Sequence, residues 1–133
     1  MKTLVLDSHA VLAYFEKETG WKTVAELFHQ AAQGECRLVL CVVNWGEVYY
    51  ITLREYGEEH AERVLQALDS MPVEIKEADR QVTAHAARFK AGGRLAYADS
   101  FACGLAKAVE AEAIVTGDPE FRSIEKEIRV RWI

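Results

Sequence analysis

The chain has little that could staple, tether or anchor it. Its three cysteines, Cys36, Cys41 and Cys103, are odd in number and form no Cys-x-x-Cys pair. That argues against a disulfide framework, a redox dithiol or a structural zinc site, and leaves buried free thiols as the expectation. Two prolines and eight scattered glycines interrupt 133 residues, and no Ser/Gly-rich, Pro-rich or repeated stretch marks a linker or a solenoid. Long apolar runs are missing too. Leu4-Val5-Leu6 meets an acid at Asp7, whereas a signal peptide needs roughly 7 to 15 apolar residues and a membrane helix about 20. A soluble, cytoplasmic protein with no membrane contact is expected. The four histidines, His9, His29, His60 and His85, have no ligand-like spacing to one another or to cysteine, so zinc chemistry is not expected. There is no Gly-x-x-x-x-Gly-Lys loop and no Gly-x-Gly-x-x-Gly fingerprint. No serine or cysteine has an evident histidine partner for covalent hydrolysis.

What remains suits one compact unit. A length of 133 residues with 50% hydrophobic content matches a single domain, residues 1–133, around one core. Taken as an average, the net charge of −5 argues against a nucleic-acid partner, since phosphate is met mostly by Lys and Arg. The average hides an asymmetry: residues 1–79 hold seven Lys/Arg against fourteen Asp/Glu, net −7, and residues 80–133 hold nine against seven, net +2. Residues 80–94 carry Arg80, Arg88, Lys90 and Arg94 with no acid among them. A solvated helix face and a phosphate track both explain such a stretch.

The patterning alternates. A short strand at Leu4-Val5-Leu6 precedes a helix over residues 9–15, and a second helix spans Trp21–Ala32 with Trp21, Val24, Ala25 and Phe28 on one face. Residues 38–42 read as a buried strand, and helices over residues 45–56 and 58–68 follow, broken at Gly57 and halted by Pro72. Val73-Glu74-Ile75 is a short strand. Asp79 caps a helix ending at Gly92-Gly93, a further helix covers residues 98–110, residues 113–116 form a strand, and Val130 and Trp132 belong to a last one. Strands alternating with helices, and apolar on both faces, predict an α/β sandwich with a mostly parallel sheet.

Ligands of an open parallel sheet bind beyond the carboxyl ends of its strands, and four acids fall there. Asp7 directly follows the first strand, Asp118 follows Thr116-Gly117, and Glu47 and Asp99 each stand in the expected first turn of a helix. Each alone is accounted for as a helix cap: Asp7 before Ser8, Asp118 before Pro119, and Asn44 with Glu47 at capping-box spacing. Convergence changes the reading, because carboxylates sharing one pocket repel each other unless a cation neutralises them. Hard cations such as Mg²⁺ or Mn²⁺ take oxygen ligands plus substrate phosphate, and phosphodiester hydrolysis is the reaction this inventory suits.

Four segments together resemble the PIN-domain family and, within it, the toxin nucleases of VapBC-type toxin–antitoxin pairs. They are Leu4-Val5-Leu6-Asp7-Ser8-His9-Ala10-Val11-Leu12, Val43-Asn44-Trp45-Gly46-Glu47-Val48-Tyr49-Tyr50, Leu95-Ala96-Tyr97-Ala98-Asp99-Ser100-Phe101-Ala102 and Ala113-Ile114-Val115-Thr116-Gly117-Asp118-Pro119-Glu120-Phe121. Each is short, but their order and spacing span almost the whole chain. The resemblance implies a PIN-like three-layer sandwich, a central parallel sheet flanked by helices. It also implies Mg²⁺ or Mn²⁺ as cofactor, endonucleolytic cleavage of RNA, and Asp7, Glu47, Asp99 and Asp118 as catalytic metal ligands, with Ser8 and Thr116 as polar supports. A homodimer and inhibition by a cognate antitoxin are further implications. The aromatic-rich helix with Trp45, Tyr49, Tyr50, Leu53 and Tyr56 is a candidate partner surface, or else a central helix buried all round.

Three other readings compete. A PIN-like domain without catalysis would only bind RNA or protein, although all four acids are present. A receiver domain also joins an α/β fold to an acid pocket, but it needs paired acids at the first strand and a phospho-acceptor aspartate after a middle strand. Asp7-Ser8 and Val73-Glu74-Ile75-Lys76 supply neither. A haloacid-dehalogenase-type phosphatase wants Asp-x-Asp where this chain has Asp7-Ser8-His9.

Overall fold

A computed structural model describes residues 1–93 and 95–133; Arg94, the last cation of the basic stretch, lies outside the described residues. Five strands form one sheet: β1 (Lys2–Leu6), β2 (Cys36–Cys41), β3 (Val73–Lys76), β4 (Ala113–Thr116) and β5 (Val130–Trp132). All neighbouring pairs are parallel and the order is β3-β2-β1-β4-β5. The helices are α1 (Ser8–Glu16), α2 (Trp21–Ala32), α3 (Val42–Tyr56), α4 (Glu58–Asp69), α5 (Arg80–Gly92) and α6 (Tyr97–Ala108), with a 3-10 turn at Pro119–Ile124.

Side chains alternate across each strand, so a buried strand feeds two cores. Leu4, Leu6, Leu38, Leu40 and Val115 pack with Val11, Val24, Leu27, Val48 and Leu68 from α1, α2, α3 and α4. Val5, Val39, Cys41 and Ile114 point the other way, onto Val82, Ala86, Phe101, Leu105 and Phe121 from α5, α6 and the 3-10 turn. The result is the expected three-layer α/β sandwich. Cys36, Cys41 and Cys103 are free and buried, as read from their spacing.

Two local expectations change. The second strand stops at Cys41, whose extended backbone is the N-cap of α3, so Val42 and Asn44 already lie inside the helix. Asn44 therefore caps nothing, and Glu47 falls in the second turn of α3, not the first. The helix over Tyr97–Ala108 likewise starts one residue before, and ends two before, the pattern of residues 98–110.

One close approach fixes α6. A Cβ on Gly104 would lie 2.5 Å from the Val82 carbonyl oxygen and 2.8 Å from the Ala86 nitrogen. Glycine thus lets α5 and α6 cross backbone to backbone, and this contact holds the helix that carries Asp99.

Candidate active site

The sheet reverses its order of winding at β1. Chain going to β2 and β3 builds one side, and chain returning to β4 and β5 builds the other, which leaves a crevice beyond the carboxyl ends of β1 and β4. Leu6 is in register with Val115, so Asp7, the first residue past β1, stands beside Thr116, the last residue of β4.

Asp7 is only 1% exposed. It is the N-cap of α1, where Oδ1 accepts a 2.8 Å bond from the Ala10 N–H, and its Oδ2 accepts from the Thr116 hydroxyl. The Thr116 oxygen in turn accepts from the Asp118 N–H at 3.0 Å. Asp118 caps the 3-10 turn, its Oδ1 accepting from the Glu120 N–H at 2.9 Å. The cap readings of Asp7 and Asp118 are thus correct, and capping aims both carboxyls into the crevice. Gly117, between Thr116 and Asp118, has no Cβ where one would stand 2.6 Å from the His9 ring. Ser8, buried at the head of α1, adjoins Asp7.

Asp99 sits in the first turn of α6 and is 9% exposed. A carboxylate oxygen from each of Asp99, Asp118 and Glu120 falls within 4.8 Å of the others. Asp7 and Glu47 stand outside this close trio but inside its field. Burial pushes Asp7 up from 3.8 to about 7; Thr116 and Ala10 pull it down, and Asp99 and Asp118 push it further up. Asp99 is likewise pushed to about 7, by burial and then by the charges of Glu47, Asp118 and Glu120. Asp99 is therefore the acid that the others meet: Asp7, Glu47 and Asp118 each lie within its electrostatic reach, and Asp118 also reaches Asp7.

Glu47 is held by a residue that the sequence reading treated only as a cap. Asn44 is fully buried, and its Nδ2 donates to Glu47 Oε1 at 2.9 Å and to the Ala98 carbonyl at 3.0 Å. One amide thus fixes the Glu47 carboxylate and ties α3 to the first turn of α6, one residue from Asp99. Glu120 was also missed, although it stands two residues after Asp118 in a turn whose Pro119 already marks a tight start. The donors here are all carboxylate oxygens, and two of the acids are too buried and too crowded to ionise readily. That set suits a hard divalent cation, which would neutralise them.

No curated protein sequence matches the chain. Among solved structures, the DNA-bound VapBC complex of Salmonella typhimurium superposes with a TM-score of 0.76 at 20% identity, over 98% of both chains. VapBC2 of Rickettsia felis, bound to a promoter DNA fragment, gives 0.75 at 18% identity over 97% of both. VapC20 of Mycobacterium tuberculosis, described as a sarcin–ricin loop cleaving toxin, gives 0.71 at 12% identity over 90% of this chain and 92% of that one. At these identities the likeness establishes the fold. The sequence itself matches the PIN domain model over residues 4–127, the span that contains every acid of the crevice, and the chain belongs to the PIN-domain family.

Proposed function

We propose that residues 1–133 form one domain acting as a metal-dependent endoribonuclease, the toxin of a toxin–antitoxin pair. The observation that supports this reading is the clustering of acids around Asp99, with Asp118 and Glu120 close by and Asp7 and Glu47 within its field, and with Asp7 and Asp99 pushed to about 7 by burial and by their neighbours. The four acids would hold Mg²⁺ or Mn²⁺. A cation held by these residues would supply the activation of water and the stabilisation of a leaving oxygen that phosphodiester hydrolysis needs.

The chain's own part is preorganisation. Thr116 orients Asp7 and accepts from the Asp118 backbone, so two acids share one hydroxyl. Asn44 sets Glu47 against the head of α6. Glu120 adds a third carboxylate to Asp99 and Asp118. Support for RNA as substrate comes from the fold shared with VapC20 of Mycobacterium tuberculosis, a sarcin–ricin loop cleaving toxin. Support for a cognate antitoxin comes from the VapBC complexes of the same fold. Tyr50, Leu53 and Tyr56 on α3 are exposed, so that helix is not buried all round and offers the antitoxin an apolar strip. A homodimer and a cytoplasmic location complete the proposal. The receiver alternative loses ground, because that doubly wound type orders its strands 2-1-3-4-5, whereas here β2 separates β1 from β3.

The test incubates partner-free protein with a pool of structured and single-stranded RNAs in Mg²⁺, Mn²⁺ or EDTA, beside Asp7→Asn and Asp99→Asn. Discrete cleavage in either metal, absent in EDTA and reduced at least about 100-fold in each variant, is expected. Intact RNA in both metals would instead leave a PIN-like binding module.

A further inference from the structure

The acid-free stretch at the start of the basic half resolves into separate roles. Lys90 Nζ donates to the Leu95 carbonyl at 2.8 Å, a structural bond. Arg80 is exposed at the first residue of α5. Arg88 does something different. It lines a cavity of about 270 Å³ together with His85, Phe89, Lys107, Ser123 and Glu127. Arg88 and Lys107 come from α5 and α6, and neither forms an ion pair with a carboxylate among the described residues, whereas Arg37, Arg63 and Arg129 do. Two free cations, a histidine, a hydroxyl and an aromatic wall face one space against a single acid.

This cavity adjoins the acids. Ser123 lines it and donates a 2.9 Å bond to the carbonyl of Glu120, whose carboxylate belongs to the trio with Asp99 and Asp118. The 3-10 turn Pro119–Ile124 thus has the acids at its head and the basic cavity at its tail. In a chain of net charge −5, a local excess of positive charge beside an acidic centre is the placement that a polyanion needs: cations hold its backbone while acids handle one phosphate. Phe89 offers an apolar face, and sequence-tolerant single-strand binding combines such faces with backbone cations.

We infer that this α5–α6 groove is a subsite for single-stranded RNA, in which Arg88 and Lys107 hold backbone phosphates next to the bond presented to the acids. The inference rests on the ribonuclease reading for its choice of ligand, but its test does not require turnover. Binding of a fluorescein-labelled single-stranded RNA is followed by anisotropy in Mg²⁺ across a salt series, using an Asp99→Asn parent so that the RNA stays intact. Arg88→Gln with Lys107→Gln, placed in that parent, is expected to weaken binding about tenfold and to flatten log K against log salt by about 1.4, near 0.7 per lost phosphate contact. Arg63→Gln with Arg129→Gln removes the same charge elsewhere and should change either quantity far less. Equal effects of the two pairs, unchanged binding in the groove pair, or no binding by the parent would each overturn the subsite. Failure of the nuclease reading would be seen separately, as RNA left uncut by the wild-type protein while groove-dependent binding persists.

Discussion

Thr116 is the residue on which most of the crevice geometry turns. Its single hydroxyl donates to buried Asp7 and accepts from the Asp118 backbone, so it cannot be replaced by a residue of the same shape without loss at both acids. Valine keeps the volume and removes both bonds. The Thr116 bond lowers the Asp7 pKa against the upward push of burial; without it, Asp7 should ionise only at a pH above about 7. Because cation binding needs the ionised form, the acidic limb of the pH–rate profile of Thr116→Val should move to higher pH. At the wild-type optimum the rate should drop by about 10- to 100-fold, the worth of one hydrogen bond to a charged group. A profile that only scales down, with its limb unmoved, would assign Thr116 to packing alone. The hydroxyl is invisible to hydrophobic patterning, which registers residues 113–116 only as an apolar strand; the four-segment resemblance was needed to mark it.

Between elements, the decisive contact is the crossing of α5 and α6. Gly104 is an ordinary mid-helix glycine in the sequence, and glycine costs about 1 kcal/mol there relative to alanine. The structure gives the reason for it, since a Cβ would stand 2.5 Å from the Val82 carbonyl. Gly104→Ala should therefore destabilise the fold by about 1–3 kcal/mol despite its better helix propensity, lowering the thermal midpoint by several degrees. A midpoint that stays or rises would mean that α5 can move aside freely. Elements were legible where periodicity decided them: Trp21–Ala32 and Ala113–Thr116 fall where the pattern put them. They were less legible where one apolar run passes from strand to helix without a polar break. Val39-Leu40-Cys41-Val42-Val43 is such a run, and only the backbone at Cys41 decides that α3 starts at Val42. That shift of three residues turns Asn44 from a cap into the buried bridge between Glu47 and α6. Long-range partners such as Ala98 leave no trace in local spacing.

For the whole molecule, the strand order is what the sequence could not supply, and it is what turns four separate caps into one centre. Each acid was visible at a strand or helix end; their meeting depends on β1 lying between β2 and β4. That assembly has a thermodynamic consequence. Asp7 and Asp99 titrate near 7 when folded and near their ordinary 3.8 when unfolded, so between these values the folded chain holds more protons. The contribution of these two groups to stability is then fully present below about pH 4 and is lost as pH rises through about 7, the reverse of a salt-bridged carboxylate. Glu74, lowered by Arg37, has the opposite sign, but that pair is exposed and contributes little. In EDTA, the thermal midpoint should accordingly fall between about pH 5 and pH 8. Mg²⁺, binding only the folded state, should restore most of it at the higher pH and little at the lower, where the carboxyls are protonated. Asp99→Asn should remove about half of the EDTA slope, leaving the part due to Asp7, and should blunt the response to Mg²⁺ as well, because the same carboxyl contributes to both. A midpoint in EDTA that rises over the same pH range, or a Mg²⁺ response equal at both ends, would mean that the acids do not share a cation and that the crevice is held by its caps alone.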